Sequence, residues 1–323
     1  MNRRALAFVL LLAFVPAGCR QQGKRSVGMV PKGATQMFWQ AVHAGALKAA
    51  HEHDLELVWN APAQESDRSR QVAIVDAMIN RGVDGLALAP VDRSALVNVV
   101  NRAIDRGIAV SVFDSNLDSA RIVSYVATDN REAGRLAARR IGEVLKGAGK
   151  VAIIDDMPGS ASTTARVEGF KQECQTKYPA IEVLEVQFTM ADRAKARAVT
   201  ENLLSAHPDL AGIFADHENA AIGAALALAS RQNHVVRLVG FDSSDQLIRY
   251  LKEGWIDSLV VQNPFRMGYE AVHVIGLRFS GKTPERSIDT GSTLVLAADL
   301  DKPDIKTLIT PDLRPWLESG ASR

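Results

Sequence analysis

Cysteine is nearly missing from this chain: its 323 residues hold two, Cys19 and Cys174. Cys19 stands at the foot of an amino-terminal leader, so no intramolecular disulfide framework is available and the folded part is held together by burial. An excess of charge of one sign is missing too. Lys and Arg number 38 against 37 Asp and Glu, and removing the leader takes away two arginines and no acid. The near-neutral remainder lacks the basic stripe of a nucleic-acid binder. Catalytic signatures are also absent. His51-Glu52-His53 lacks the i, i+4 histidine spacing of a zinc helix. Gly147 to Lys150 lacks the earlier glycine and the following Ser or Thr of a phosphate-cradling loop, and Pro158 to Ser162 is no nucleophile elbow. No Gly-x-Gly-x-x-Gly follows the first strand, so a dinucleotide has no cradle. These absences predict a protein that is not an enzyme and holds neither metal nor cofactor.

The leader itself is well marked. Arg3 and Arg4 precede an apolar run from Ala5 to Val15, then Pro16, Ala17, Gly18 and Cys19, which is the charged, apolar and small-residue order of an export signal over residues 1–18. The run falls short of the roughly 20 residues that span a bilayer, and no second long apolar segment follows. A cysteine directly after Ala17 and Gly18 resembles a bacterial lipobox, in which the thiol is diacylated and becomes the first mature residue. Pro16 departs from that pattern, and plain secretion with Cys19 idle is the alternative. The expectation is a periplasmic or outer envelope location, with residues 19–25 as a lipidated linker and two or more acyl chains as the anchor.

What remains, about 300 residues, is enough for two cores. Short apolar runs alternate with helical patterns of ten to fifteen residues, the grammar of βαβ crossovers and a parallel sheet. The first set has strands at Val27–Val30, Leu55–Trp59, Gly85–Ala89 and Ile108–Phe113, with helices beginning near Phe38 and spanning Ser69–Arg81 and Ala95–Arg106. The second has strands at Val151–Ile154, Ile181–Gln187, Gly212–Ala215, Val235–Phe241 and Ile256–Val261. Its helices span Glu132–Leu145, Thr164–Lys177, Arg193–Ala206, Ala220–Ser230 and Gln246–Lys252. A helix at Pro264–Phe279, a strand at Ser292–Ala297 and a poorly patterned tail after Thr310 complete the chain. So many strands split into two sheets, with a cleft between the carboxyl ends of both.

The loop after the first strand carries the most unusual feature, Phe38 beside Trp39 where loop becomes helix. Neighbours on a helix point about 100° apart, so the two rings are not expected to pack the same core face. Either one of them faces the cleft, or Phe38 staples the helix while Trp39 lies half-buried at the surface.

Seven further runs carry a family resemblance: GVDGLALAPVD (Gly82 to Asp92), GIAVSVFDS (Gly107 to Ser115), VATDN (Val126 to Asn130), ARVEGF (Ala165 to Phe170), GIFADHENAAIGA (Gly212 to Ala224), VGFDSS (Val239 to Ser244) and VVQNPFRMGYEA (Val260 to Ala271). In order and spacing the set resembles the periplasmic sugar-binding proteins of ABC transporters, the type I solute-binding fold shared with ribose-binding protein and the sensor domain of the lactose repressor family. The resemblance implies an α/β fold of two doubly wound parallel-sheet lobes joined by a three-strand hinge. Lobe I would hold residues 26–128 and 263–291, and lobe II residues 129–262 and 292–323. It also implies a monomer that traps a monosaccharide or polyol and presents the closed form to ABC permease subunits. The alternative output is a sensor kinase or chemoreceptor; an exported hydrolase on the same scaffold is a third reading. The leader occupies the place of the repressors' DNA-binding helices, so no nucleic-acid partner is expected.

The same resemblance implies the ligand contacts. Phe38 and Trp39 stand where the family's stacking rings stand. Asp114 and Asp242, each closing an apolar strand, match its two ligand aspartates, with a turn or cap role as the alternative. Gln262 matches a ligand glutamine at the last hinge crossing, and Ser115 follows Asp114. Other positions depart from the ribose pattern. His217 stands in place of an asparagine, with Glu218 beside it as a helix cap. Thr164 replaces the ligand arginine, so Thr163 or Thr164 reaches the substrate while Arg166 braces the loop. Lys32 and Gln36 replace smaller polar groups, and Lys32 pairs either with an acidic group on the substrate or with Asp114. Trp59 and Asn60 line the rim or pack against a neighbouring helix. These departures argue against plain ribose.

Overall fold

The computed structural model describes residues 23–318; the leader, Cys19 and the last five residues lie outside that range, so the export and lipidation expectations fall on residues it does not describe. The first half runs β1 (Ser26–Val30), α1 (Met37–Glu52), β2 (Glu56–Trp59), α2 (Arg68–Arg81), β3 (Gly85–Leu88), α3 (Val97–Asp105), β4 (Ala109–Phe113) and β5 (Ser124–Ala127). The second runs α4 (Asn130–Val144), β6 (Ala148–Asp155), α5 (Ala161–Lys177), β7 (Ala180–Val183), β8 (Gln187–Phe188), α6 (Arg193–Ala206), β9 (Leu210–Ala215), α7 (Glu218–Ser230), β10 (Arg237–Phe241), α8 (Asp245–Lys252) and β11 (Ser258–Gln262). After these come α9 (Pro264–Phe279), β12 (Ser287–Asp289), β13 (Ser292–Leu296), α10 (Pro303–Ile309) and α11 (Arg314–Leu317).

The strands form two sheets. One has the order β12-β5-β4-β3-β1-β2, parallel throughout. The other has the order β13-β11-β10-β9-β6-β7, with β8 on β6, and is parallel except for β13, which runs antiparallel to β11 at the edge. Each sheet is covered by helices on both faces, which is why its strands are apolar at nearly every position. Two core clusters per sheet result, one on each face. Both sheets reverse their winding between neighbouring strands, β1/β3 in the first and β6/β9 in the second, and the loops at such points open toward a ligand crevice. The chain crosses between the sheets at three places, residues 128–130, 262–264 and 289–292.

Local chemistry fixes the helix ends that matter for the crevice. Asp129 accepts from the Glu132 amide at 2.9 Å and starts α4, Asn263 accepts from the Arg266 amide at 3.0 Å ahead of Pro264 and starts α9, and Ser244 caps α8. Helix pairs then close with glycine at the contact. A Cβ on Gly268 of α9 would lie 1.9 Å from the Val42 carbonyl of α1, and one on Gly134 of α4 would lie 2.0 Å from the Arg166 carbonyl of α5. The second contact seats α5, and with it Arg166, against α4.

Several elements differ from the sequence reading. β5 and β12 go unread because they are three or four residues long and carry polar positions. The run at 181–187 divides into β7 and β8. The tail holds two short helices, and their packing departs from its assignment to the second lobe: Ile305 of α10 enters the core of the second sheet, whereas α11 packs on α1 of the first, with Trp316 6.2 Å from the His51 ring. The tail therefore straps both halves, with α10 on the second and α11 on the first. Cys174 is buried, and burial pushes its thiol up to about 12.

Candidate functional site

The crevice is built from strand ends. Asp114 follows β4 and Asp242 follows β10, and both take the left-handed conformation, with φ of 61° and 69°. Aspartate tolerates that region better than most residues, and here it turns each carboxylate off the end of its sheet into the space between lobes. The two places match in detail: the Asp114 amide donates to Val126 O and the Asp242 amide to Val260 O, both at 2.9 Å.

Lys32, in the loop after β1, reaches Asp114 at 2.7 Å, so the ammonium pairs within its own lobe. It also donates to Ser162 Oγ at 3.1 Å across the gap. Both partners of the ion pair are about 5% exposed. Around them Gln36, Phe38, Trp39 and Glu65 close the first lobe's side. The rings meet edge to face at 4.8 Å, and Trp39 lies 6.4 Å from Phe113. Both are buried and both line the cavity: helix geometry alone points one ring inward, whereas the family resemblance names both. The second lobe covers the face that a lone first lobe would leave in water.

From the second lobe come Asp156, Ser162, Thr163, Arg166, His217, Glu218 and Asp242, with Gln262 from the crossing. Arg166 is held on every side: Nε donates to Asn130 Oδ1 at 2.8 Å, a terminal nitrogen donates to the Asp216 carbonyl at 2.8 Å, and the guanidinium sits 3.8 Å over the Phe241 ring. Asp242 accepts from Gln262 Nε2 at 2.8 Å and from the Glu218 amide at 3.2 Å. Burial pushes its carboxyl upward, against the pull of Arg166 and Gln262. His217 meets Asp216 at 3.0 Å through Nδ1 and leaves Nε2 to the cavity. Behind it burial raises the carboxyls of both Asp155 and Asp216, with like charge nearby adding to the rise, Asp216 acting on Asp155, and Asp156 and Asp242 acting on Asp216.

Two expected residues stand elsewhere. Thr164 is turned off the cavity because α5 begins at Ala161, which puts Ser162, Thr163 and Arg166 on the inner face and Thr164 beside it. Ser115 lies wholly behind the wall, donating to Ser162 Oγ at 2.8 Å and accepting from its amide at 3.2 Å; it ties the lobes together rather than lining the void. Trp59 stacks on His43 of α1 at 4.2 Å, the packing alternative, and Asn60 is exposed. Glu65 and Asp156 carry no sequence signal beyond their loops, and Glu218 lines the void besides opening α7.

The lobes are closed in this structure. The Arg93 amide donates to Gly159 O at 3.0 Å and Arg68 reaches the Pro158 carbonyl, both across the gap. The void left in the crevice measures about 40 Å³, room for about three waters.

A family model, the periplasmic binding protein domain, matches residues 27–283. The chain belongs to that family. The D-ribose/D-allose-binding protein of Pseudomonas aeruginosa is 30% identical over 89% of this chain and 94% of its own length. A carbohydrate transporter solute-binding protein from Agrobacterium radiobacter, solved with D-arabinose, superposes with a TM-score of 0.86 at 30% identity, covering 89% of this chain and 99% of that one. An ABC transporter solute-binding protein from Agrobacterium vitis, bound to α-D-tagatopyranose, gives 0.85 at 28% identity, with 88% and 99% covered. The periplasmic binding protein fold, two parallel-sheet α/β lobes, is thus shared across nearly the whole described chain. Among the described residues no helix is long and apolar enough to cross a membrane.

Proposed function

We propose that this protein is the exported receptor of an ABC importer, capturing a sugar or polyol between its lobes and handing the closed form to the permease. The observation that carries the reading is the single cavity in which two aromatic rings from one lobe meet carboxylates, Arg166 and His217 from the other. Ring faces suit the apolar face of a sugar, and paired oxygens and amides suit its hydroxyls. Relatives named or solved with ribose, allose, arabinose and tagatose support the same ligand class.

Closure follows from the arrangement. Contacts such as Lys32 to Ser162 and Ser115 to Ser162 form only when the lobes meet, so a ligand bridging Asp114 and Asp242 adds to bonds the protein already makes, and the closed form gains population by that differential affinity. A ligand larger than the void of about 40 Å³ needs the lobes to separate, the Lys32 ammonium to swing aside, or room from the adjoining space of about 210 Å³ that shares Phe38, Asp242 and Gln262. No bond-breaking step is part of this reading. β1 starts at the sheet edge opposite the crevice, so a tether through Cys19 leaves the binding face free.

The test is a thermal-shift screen of the purified chain across a carbohydrate and polyol panel, followed by calorimetry. Saturable stoichiometric binding of at least one member is expected; a folded protein that binds none of them refutes the reading. Labelling with radioactive palmitate, lost in Cys19→Ala, checks the anchor.

A further inference from the structure

The charge of the cavity is lopsided. Its wall carries Glu65, Asp114, Asp156, Glu218 and Asp242 against two permanent cations, Lys32 and Arg166. Both cations are already engaged: Lys32 with Asp114 at 2.7 Å, Arg166 with Asn130, the Asp216 carbonyl and the Phe241 ring. Glu65, Asp156 and Glu218 have no cationic side chain within 4.0 Å among the described residues. Two of these carboxyls point oxygens at nothing: Asp156 Oδ1 and Glu218 Oε2 are buried without a hydrogen-bond partner, in side chains that are 3% and 7% exposed. Glu65 accepts one bond, from Trp39 Nε1 at 2.6 Å. The three act on one another, since Asp156 repels Glu65 and Glu65 repels Glu218.

A neutral polyol offers hydroxyl donors to such a cluster but no positive charge, so the crowded carboxyls must go on holding protons in a place of low dielectric. A primary ammonium offers three donors and the missing positive charge together. Resting on the sugar-site reading above, we propose that the ligand is an amino sugar or amino polyol whose ammonium seats among Glu65, Asp156 and Glu218. The hydroxyls then face Asp114, Asp242 and Gln262, and the rings of Phe38 and Trp39 cover an apolar face. In the unliganded protein the cluster answers its own crowding by holding protons: burial pushes Glu65 and Glu218 each up to about 7, helped by Asp156 and Asp242 respectively. An ammonium takes the place of those protons.

Calorimetry at about pH 6, where both the amines and the acids that must ionise are within reach, compares matched pairs: D-glucosamine with D-glucose, D-galactosamine with D-galactose, D-mannosamine with D-mannose, and 1-amino-1-deoxysorbitol with sorbitol. The aminated member of at least one pair is expected to bind about tenfold or more tightly than its neutral partner, a difference of about 1.4 kcal/mol. Glu65→Gln with Glu218→Gln is expected to bring that ratio toward one. Neutral members that bind as well as their aminated partners in every pair overturn the ammonium assignment and leave the sugar site standing; so does a ratio unchanged in the folded double variant. A folded protein that binds nothing from either set overturns the sugar-site reading, and the ammonium assignment falls with it.

Discussion

Replacing Asp114 by Ala tests the cleft where its electrostatics are most exposed to error. The change strands the Lys32 ammonium, which is 5% exposed and keeps only Ser162 Oγ at 3.1 Å and Ser160 Oγ at 3.5 Å. At an effective dielectric of about 20, two charges about 3 Å apart attract by roughly 5 kcal/mol. Breaking a buried pair from one side costs about 3 to 5 kcal/mol in measured cases. The pair lies at the lobe interface, however, so the protein has an escape that a core pair lacks: opening returns Lys32 to water. The loss of global stability is therefore capped by the cost of opening, and about 1 to 3 kcal/mol is expected. Urea unfolding reads the stability, and small-angle scattering of the ligand-free variant reads the opening as a larger radius of gyration. The decisive comparison is Asp114→Ala with Lys32→Met in one chain, which removes the stranded charge and is expected to recover most of the lost stability while recovering none of the ligand affinity. If the single and double variants unfold at the same urea concentration and scatter alike, Lys32 is not desolvated by closure and the account of the pair is wrong.

Other expectations follow from the same geometry. Asp242→Ala removes the acceptor for Gln262 and the Glu218 amide together with the ligand contact proposed for it, and affinity measured by calorimetry is expected to fall by about 1.5 to 3 kcal/mol; wild-type affinity removes Asp242 from the site. Burial, with crowding by Asp242 and Glu65 that Arg193 and His217 only partly offset, pushes the Glu218 carboxyl up to about 7 from an ordinary 4.5. A raised acid stabilises the fold fully below its unfolded pKa and loses that contribution as pH climbs through the folded value, so the melting temperature of the unliganded protein is expected to drop by several degrees between about pH 5 and pH 8. A flat or rising profile contradicts this, and Glu218→Gln is expected to make the drop smaller without abolishing it, since Glu65 is pushed up to about 7 as well. Gly268→Ala puts a methyl group where the Val42 carbonyl stands 1.9 Å away, forcing α1 and α9 apart at a cost of about 2 kcal/mol or more in chemical unfolding; a change below about 0.5 kcal/mol shows that the helices slide freely.

Which parts of this architecture can be read from sequence is decided by how local their cause is. α6 and α9 have the expected bounds, Arg193–Ala206 and Pro264–Phe279, since Asp192 and Asn263 cap them within four residues of chain. Asp114 and Asp242 are legible for a similar reason, each closing an apolar run whose sheet fixes where the next residue points. α5 shows what happens when the local signal slips. Its N-cap, Ser160, makes no capping bond to the helix, whose start is set by packing of Gly134 and Gly169 against neighbouring backbone; of the two hydroxyls left open, Thr163 and Thr164, it is Thr163 that lines the crevice. Glu65 and Asp156 lie further out of reach. Glu65 sits in a loop with no pattern of its own, and Asp156, although it directly follows β6, stands beside a second acid, Asp155, with nothing local to say which of the two faces the crevice. Those same residues carry the unmatched charge. Of the three carboxyls in the proposed charge cluster, Glu218 and Asp156 stand close behind β9 and β6, where sequence reading looks, and only Glu65 comes from a loop that reaches them when the lobes close.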